Sequence, residues 1–225
     1  MALLPKSLRR LAPERLRDDV RLRAGAVGLG LIPPRTMHSA EDARVLLDAA
    51  RGARTVVEIG VYEGSSALAL LDVLGPEAEL HLIDPFGRRP DALPSGWGAT
   101  EWATRRLVDR RARSRGAQAP CVVWHPELSA EVAGGWSKEV DLVFIDGDHS
   151  EQGCELDWIS WSPFVRVGGH VVLHDARAGL EGGRGLPGPS AVVDRHLRGT
   201  PEEGWVIQAE ADRTVASRRV AVEAG

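Results

Sequence analysis

Residues 55–66 read Thr-Val-Val-Glu-Ile-Gly-Val-Tyr-Glu-Gly-Ser-Ser. An apolar, β-branched run at 55–59 enters a short turn between Gly60 and Gly64, and a helical stretch begins at Ser65. A strand that ends in a glycine turn and re-enters as a helix opens an α/β fold. The alternation continues outward from it. Strands are predicted at 79–83, 121–124, 142–145 and 170–173, with helices near 65–74, 100–114, 127–133, 151–161 and 190–198. Continuous apolar strands between helices predict a parallel sheet covered on both faces. Segments 205–209 and 214–222 have no helix between them and predict a hairpin that puts an antiparallel strand into the sheet. The expected fold class is therefore α/β, Rossmann-like and mostly parallel.

Upstream, Ser39 is a good N-cap with Asp42 three residues on, which predicts a helix running to about Arg51. Residues 1–38 differ from the rest. Residues 1–23 carry seven basic side chains against three acidic ones, with leucines at roughly helical spacing. This reads as a helical N-terminal extension ahead of a main domain at 39–225. Packing on the domain or on a second subunit is the expected use, so a homo-oligomer through this extension stays open.

The composition narrows the function. The 225 residues hold 28 Lys and Arg against 32 Asp and Glu, a net charge of −4, which gives no support to a nucleic-acid binder. No apolar run approaches the ~18–20 residues of a membrane span. The first residues meet charge before any apolar core and do not read as a secretory signal. Cys121 and Cys154 have no CxxC partner, so neither a disulfide framework nor a cysteine-rich zinc site is expected, and a cytoplasmic protein is the default.

In an open α/β sheet, ligands bind beyond the carboxyl ends of the strands. Those ends hold Glu58 to Ser66, Asp84-Pro85-Phe86, His125-Pro126-Glu127, Asp146-Gly147-Asp148-His149 and His174-Asp175. The glycine turn is not a dinucleotide fingerprint, because Tyr62 stands where the second glycine must admit a pyrophosphate, and no G-K-[ST] exists for a phosphate loop. A loop of this kind suits the small, zwitterionic end of an amino acid. Asp84, at the end of the second strand, can accept the hydroxyls of a ribose.

With these residues in place the sequence resembles a family. VVEIGVYEGSSALALL (56–71), LHLIDPF (80–86) and DLVFIDGDHSEQGCELDWISWSPFVRVGGHVVLHDA (141–176) are similar to class I S-adenosylmethionine-dependent methyltransferases. The branch with D-G-D-H after strand four and G-G-x-x-x-x-H-D at strand five is similar to small-molecule O-methyltransferases, including sugar methyltransferases of antibiotic pathways. The resemblance implies that Glu58, Gly60, Tyr62, Gly64, Ser65 and Ser66 hold the methionine end of the cofactor, that Asp84 holds the ribose, and that Phe86 flanks the adenine. Met37, His38 and Ser39 would close over the cofactor. Asp146, His174 and Asp175 occupy the positions that bind Mg²⁺ in metal-dependent members. His174 departs from an all-oxygen set, which leaves room for another divalent ion or for none.

His149, three residues after Asp146, is placed to take the proton from an acceptor hydroxyl, with a helix-capping or cofactor-contacting histidine as the alternative. Asp148 reads as a helix cap or a holder of a neighbour. Asp157 reads as exposed or paired, and Cys154, Trp158 and Trp161 as core. Between strands two and three, Trp97 and Trp102 precede six arginines at 105–115. The tryptophans could line an acceptor pocket, and the arginines read as a solvated helix face, with an anionic acceptor or an oligomer contact as the alternative. Residues 179–189, rich in glycine and proline, read either as a lid or as a plain surface loop. The expected reaction is methyl transfer from S-adenosylmethionine to a hydroxyl of a small molecule, with His149 and Asp146 as its reactive residues. Two alternatives remain. One is a metal-independent N- or C-methyltransferase, and the other is a non-catalytic nucleoside-binding module.

Overall fold

The computed structural model describes residues 19–36, 38–87, 98–199 and 204–222. A helix α1 (Val20–Gly28) comes first, its N-cap Asp19 accepting from the amides of Arg21 and Leu22. Helix α2 (Ala40–Ala50) follows, started by the expected reciprocal box between Ser39 and Asp42. The main alternation then runs β1 (Thr55–Ile59), α3 (Ser65–Val73), β2 (Glu79–Ile83), α4 (Gly98–Arg115), β3 (Cys121–His125), α5 (Ser129–Gly134), β4 (Val140–Ile145), α6 (Glu151–Trp161), β5 (Val165–Leu173) and α7 (Pro187–Val193). A short π-helix at Asp194–Gly199 leads to β6 (Trp205–Ala211) and β7 (Thr214–Arg219).

The sheet order is β3-β2-β1-β4-β5-β7-β6. Strands β1 to β5 pair in parallel, and β7 runs antiparallel between β5 and β6, as the hairpin reading required. Alternate residues of each strand feed two separate cores. Val56, Leu80, Leu142 and Val172 meet α2, α3 and α4 through Val45, Leu46, Leu70, Leu71 and Val108. Val57, Ile83, Val143 and Val171 meet the other layer through Cys154, Trp158, Trp161, Val192 and Val193. Chain order reverses between β1 and β4, which opens the crevice where such sheets bind ligands.

The bounds of β1, β2 and α6 match the sequence reading. Strand β5 begins at Val165 rather than 170, because Gly168 and Gly169 interrupt the apolar pattern while pairing continues past an irregularity between Val140 and Leu142. The last helix begins at Pro187 rather than 190, since a proline in the first turn gives up no hydrogen bond. Among the described residues, no helix is long and apolar enough to cross a membrane.

Candidate active site

Backbone ladders carry the chain past the strand ends and fix where the loops start. Gly60 N–H donates to the Ile83 carbonyl at 2.9 Å, Asp146 N–H to Ile59 at 2.9 Å, and His174 N–H to Ile145 at 3.0 Å. The glycine turn, Asp146 and His174 thus begin side by side.

The turn is tightly specified. Gly60 has φ +88°, and a Cβ there would stand 2.1 Å from the Asp146 carbonyl oxygen. Only glycine fits this approach of two backbones. Gly64, at φ +83°, opens α3, and a Cβ there would lie 2.9 Å from Thr104 Cγ2. Tyr62 also takes a left-handed backbone, φ +49°, which is uncommon for a bulky residue and marks stored strain.

Asp84 ends β2 as expected, but its carboxylate turns into the loop. Oδ2 accepts from Val61 N at 3.0 Å and Tyr62 N at 2.8 Å, and Oδ1 from Phe86 N at 2.8 Å. A carboxylate has about four acceptor positions, so one remains for a ribose hydroxyl. Burial dominates and raises its pKa, against those three amides. Phe86 is 1% exposed and packs toward Trp124, so its ring belongs to the core rather than to an open adenine face.

Glu58 is fully buried in β1. Ser66 Oγ donates to Oε1, while Oε2 has no partner among the described residues. Burial, opposed by the Ser66 bond and reinforced by the charges of Asp146 and Asp84, pushes its pKa up to about 8. Ser65 begins α3. Ser39 is occupied in capping α2, with Asp42 N donating to its Oγ at 3.2 Å. Met37, Trp97 and residues 1–18 lie outside the described residues.

At the ends of β4 and β5, three histidines converge on one carboxylate. His174 Nδ1 lies 3.0 Å and His149 Nε2 3.3 Å from Asp146 Oδ1, and His38 Nε2 lies 3.2 Å from Oδ2. Burial would raise the Asp146 pKa, but the three imidazoles outweigh it and hold the group below its ordinary value. His149 moves up through its bond to Asp146, against burial. His174 also moves up, because Asp146, Asp175 and Asp42 outweigh its burial. Asp175, at φ +52°, places Oδ2 at 3.6 Å from both His149 Nε2 and His174 Nδ1, and Arg213 Nη1 donates to its Oδ1 at 3.2 Å.

Asp146, His149, His174 and Asp175 each offer one donor atom, all within 4.8 Å of one another. The set mixes carboxylate oxygen with imidazole nitrogen. That chemistry fits a borderline divalent ion such as Co²⁺ or Zn²⁺ better than Mg²⁺.

Asp148 Oδ1 accepts from Ser150 N at 2.8 Å, so it serves the start of α6. Asp157 is buried, accepts from Ser129 Oγ and has its pKa pushed up to about 6 by burial. Cys154, Trp158 and Trp161 are core. Trp102 is half-exposed. Its ring packs against Gly28 of α1. The arginines of α4 are not simply solvated: Arg111 pairs with Asp72 at 2.6 Å, Arg115 reaches the carbonyls that end α3, and Arg105 lies 4.8 Å above the Trp124 ring. The 179–189 loop is tied down by a bridge between Ala176 and Gly185 and by Leu186 N donating to the Asp175 carbonyl at 2.7 Å. His38 entered the sequence reading only as part of a closing segment. Glu63 sits inside the glycine-turn motif without a role of its own there, and Arg23, Arg35 and Arg213 belong to no motif.

This arrangement has relatives. The profile of a methyltransferase-domain family matches residues 57–176, more than half of the chain. The chain belongs to this family. The matched span starts inside β1 and ends just beyond Asp175, so it contains the glycine turn, Asp84 and the Asp146 cluster. The fold of this methyltransferase is shared by the O-methyltransferase TomG from Streptomyces achromogenes, involved in tomaymycin synthesis and solved with SAM, at 17% identity, TM-score 0.60 and 91% of each chain. An O-methyltransferase from Bacillus cereus in complex with SAH is similar at 13% identity, TM-score 0.58, over 95% of this chain and 97% of that one. A Klebsiella pneumoniae protein described as an O-methyltransferase aligns at 14% identity, TM-score 0.57, over 96% and 94%.

Proposed function

We propose that the protein transfers the methyl group of S-adenosylmethionine to a hydroxyl of a small molecule. The observation that carries this reading is the adjacency of two unlike sites at one switch point: a glycine turn shaped by backbone, and a titratable cluster with an accessible histidine. S-Adenosylmethionine supplies a methyl on a positively charged sulfur. Asp84 and Asp146 flank the turn with acid, which favours such a cation, and Glu58 beside them can release its proton to answer it. The buried, unpartnered Oε2 of Glu58 is an acceptor that an ammonium group would answer. Asp84 retains one acceptor position for the ribose, and Gly60, Tyr62, Gly64, Ser65 and Ser66 line the turn.

His149 is the base. Its side chain is 37% exposed, so it can meet an acceptor, while Asp146 and Asp175 orient its ring from behind. It takes the hydroxyl proton as the oxygen bonds to carbon and the sulfur keeps the electron pair of the bond that breaks. Alignment of oxygen, methyl and sulfur is the larger part of the task. Asp146, His174 and Asp175 would hold a divalent ion, which would orient the acceptor oxygen and lower its pKa. His38 acts through Asp146 by holding its second oxygen. Cys121 is exposed and Cys154 buried, both unpaired, in keeping with a reducing compartment and the proposed cytoplasmic setting.

The test is calorimetry with S-adenosylmethionine and S-adenosylhomocysteine, followed by mass-spectrometric detection of methylated products from a panel of hydroxylated metabolites. Failure to bind either nucleoside, or tight NADH binding instead, would overturn the reading. Products methylated only on nitrogen or carbon would reassign the acceptor.

A further inference from the structure

Helix α1 and the strand of chain after it touch the domain at a particular place. Arg23, on α1, and Glu63, inside the glycine turn, are 9% and 4% exposed. Arg23 Nε donates to Glu63 Oε1 at 2.6 Å and Nη2 to Oε2 at 2.7 Å, a forked pair. Arg23 Nη2 also reaches the Pro33 carbonyl at 3.3 Å, and the Arg35 amide donates to Glu63 Oε2 at 2.7 Å. Arg35 Nη1 donates to the Tyr62 hydroxyl at 2.7 Å. Two buried charges are costly to hold unless the geometry is good and the remaining lone pairs are used, and here both conditions are met.

The partners of this clamp are informative. A helix that merely covered apolar surface could attach anywhere along α4. This one grips Glu63 through Arg23, and Arg35 in the chain just after it holds Tyr62, so together they take two of the three residues between Gly60 and Gly64. Tyr62 is the strained position of the turn, and bonds from three elements fix it. Its amide is held by Asp84 of the β2 end at 2.8 Å, its carbonyl accepts from Thr104 Oγ1 of α4 at 2.6 Å, and its hydroxyl is held by Arg35. A left-handed tyrosine persists only where its surroundings over-determine it.

We propose that Arg23 and Arg35 are positioning residues for the cofactor, and that the clamp they form on Tyr62 and Glu63 is a working part of the cofactor loop. This rests on the methyltransferase reading above. The loop and the clamp form one coupled unit, so docking of α1 shapes the turn and an occupied turn holds α1 in place. Such coupling is reciprocal by thermodynamic necessity.

The experiment measures S-adenosylhomocysteine affinity by calorimetry for the full chain and for Arg23→Met, Arg35→Met and Leu22→Ala, with thermal unfolding of each. Leu22 is an exposed residue of the same helix outside the clamp. Arg23→Met is expected to weaken binding about 5- to 150-fold, the usual span of coupling between two sites. Arg35→Met should weaken it less, and Leu22→Ala should leave it unchanged. Arg23→Lys keeps the charge without the fork and should recover part of the loss. Hydrogen exchange of the native protein supplies a readout that needs no variant: amides of 24–28 should exchange more slowly once S-adenosylhomocysteine is bound. A lowered melting temperature with unchanged affinity, or exchange in α1 indifferent to the ligand, overturns the proposal. If the native protein itself binds no S-adenosylhomocysteine, the function reading has failed, and this inference falls with it.

Discussion

Asp84 and Asp146 are carboxylates at the same edge of the same sheet, two strands apart, and they are satisfied in opposite ways. Asp84 accepts three backbone amides, and burial raises its pKa. Asp146 is held by three imidazoles from three parts of the chain, and its pKa is lowered. The half around β1 and β2 is built largely from backbone, with left-handed residues at Gly60, Tyr62 and Gly64. The half around β4 and β5 is built from side chains that hold other side chains. A backbone-made site has a fixed shape and tolerates little change. A side-chain-made site can change protonation or ligand without moving the chain. That division suits a constant cofactor beside a chemical step.

Putting a side chain into the backbone half challenges this division most directly. Gly60→Ala must accept both a positive φ and a Cβ driven into the Asp146 carbonyl. Together these should cost about 3 kcal/mol of stability. Calorimetry is expected to detect no S-adenosylhomocysteine binding, with a clear fall in melting temperature. An alanine variant that binds as the native protein does would show that the turn is not specified by its backbone.

The next effect belongs to the other half and should leave the first untouched. His149→Ala is expected to lower turnover by ~10²–10⁴ while cofactor affinity stays within about twofold. Quenched-flow or steady-state assays beside calorimetry separate the two quantities. Parallel losses in both would show that the halves are not independent.

A smaller shift should appear in ion preference. Titration of the metal-stripped protein, followed by calorimetry and by Co²⁺ absorption, should show Co²⁺ and Zn²⁺ binding ahead of Mg²⁺. His174→Asp restores an all-oxygen set at that position and should narrow the gap. Equal binding of all three ions by the native protein would mean that the His174 imidazole is not a ligand.

The two halves also differ in how far the sequence discloses them. Strands β1 and β2 and helix α6 are bounded by abrupt changes from apolar runs to glycine, proline or charge, and their ends are legible to the residue. Asp146, His149, His174 and Asp175 could be expected together, because they follow neighbouring parallel strands. His38 could not, since it reaches Asp146 across 108 residues through a loop with no periodic pattern. The same holds for Arg23 and Glu63, which meet only because α1 folds back on α4. Glycines concealed the start of β5, because a residue without a side chain breaks the apolar pattern while its backbone still pairs. Trp102 was misleading for a related reason. A large aromatic ring in an insertion suggests a binding face, but here it fills the space above Gly28.

Glu58 gives the smallest effect and the finest test, because its Oε2 is buried with no partner among the described residues. Its folded pKa of about 8 stands above the 4.5 of an unhindered glutamate. The folded protein therefore binds a proton that the unfolded chain has released across that window. Stability from this group is fully present below the unfolded value and is lost as pH rises through about 8. Glu58→Gln should flatten that decline and leave the variant relatively more stable at alkaline pH. An arriving cation reverses the preference, since it favours the carboxylate. At pH 7, cofactor binding should then release a fraction of a proton from the native protein and none from Glu58→Gln. Calorimetry in buffers of different ionisation enthalpy measures that fraction. Release that persists in the glutamine variant would assign the proton to the histidine cluster instead. The boundary between the two halves would then lie at β1 itself, with the cofactor drawing on the titrating side chains across it.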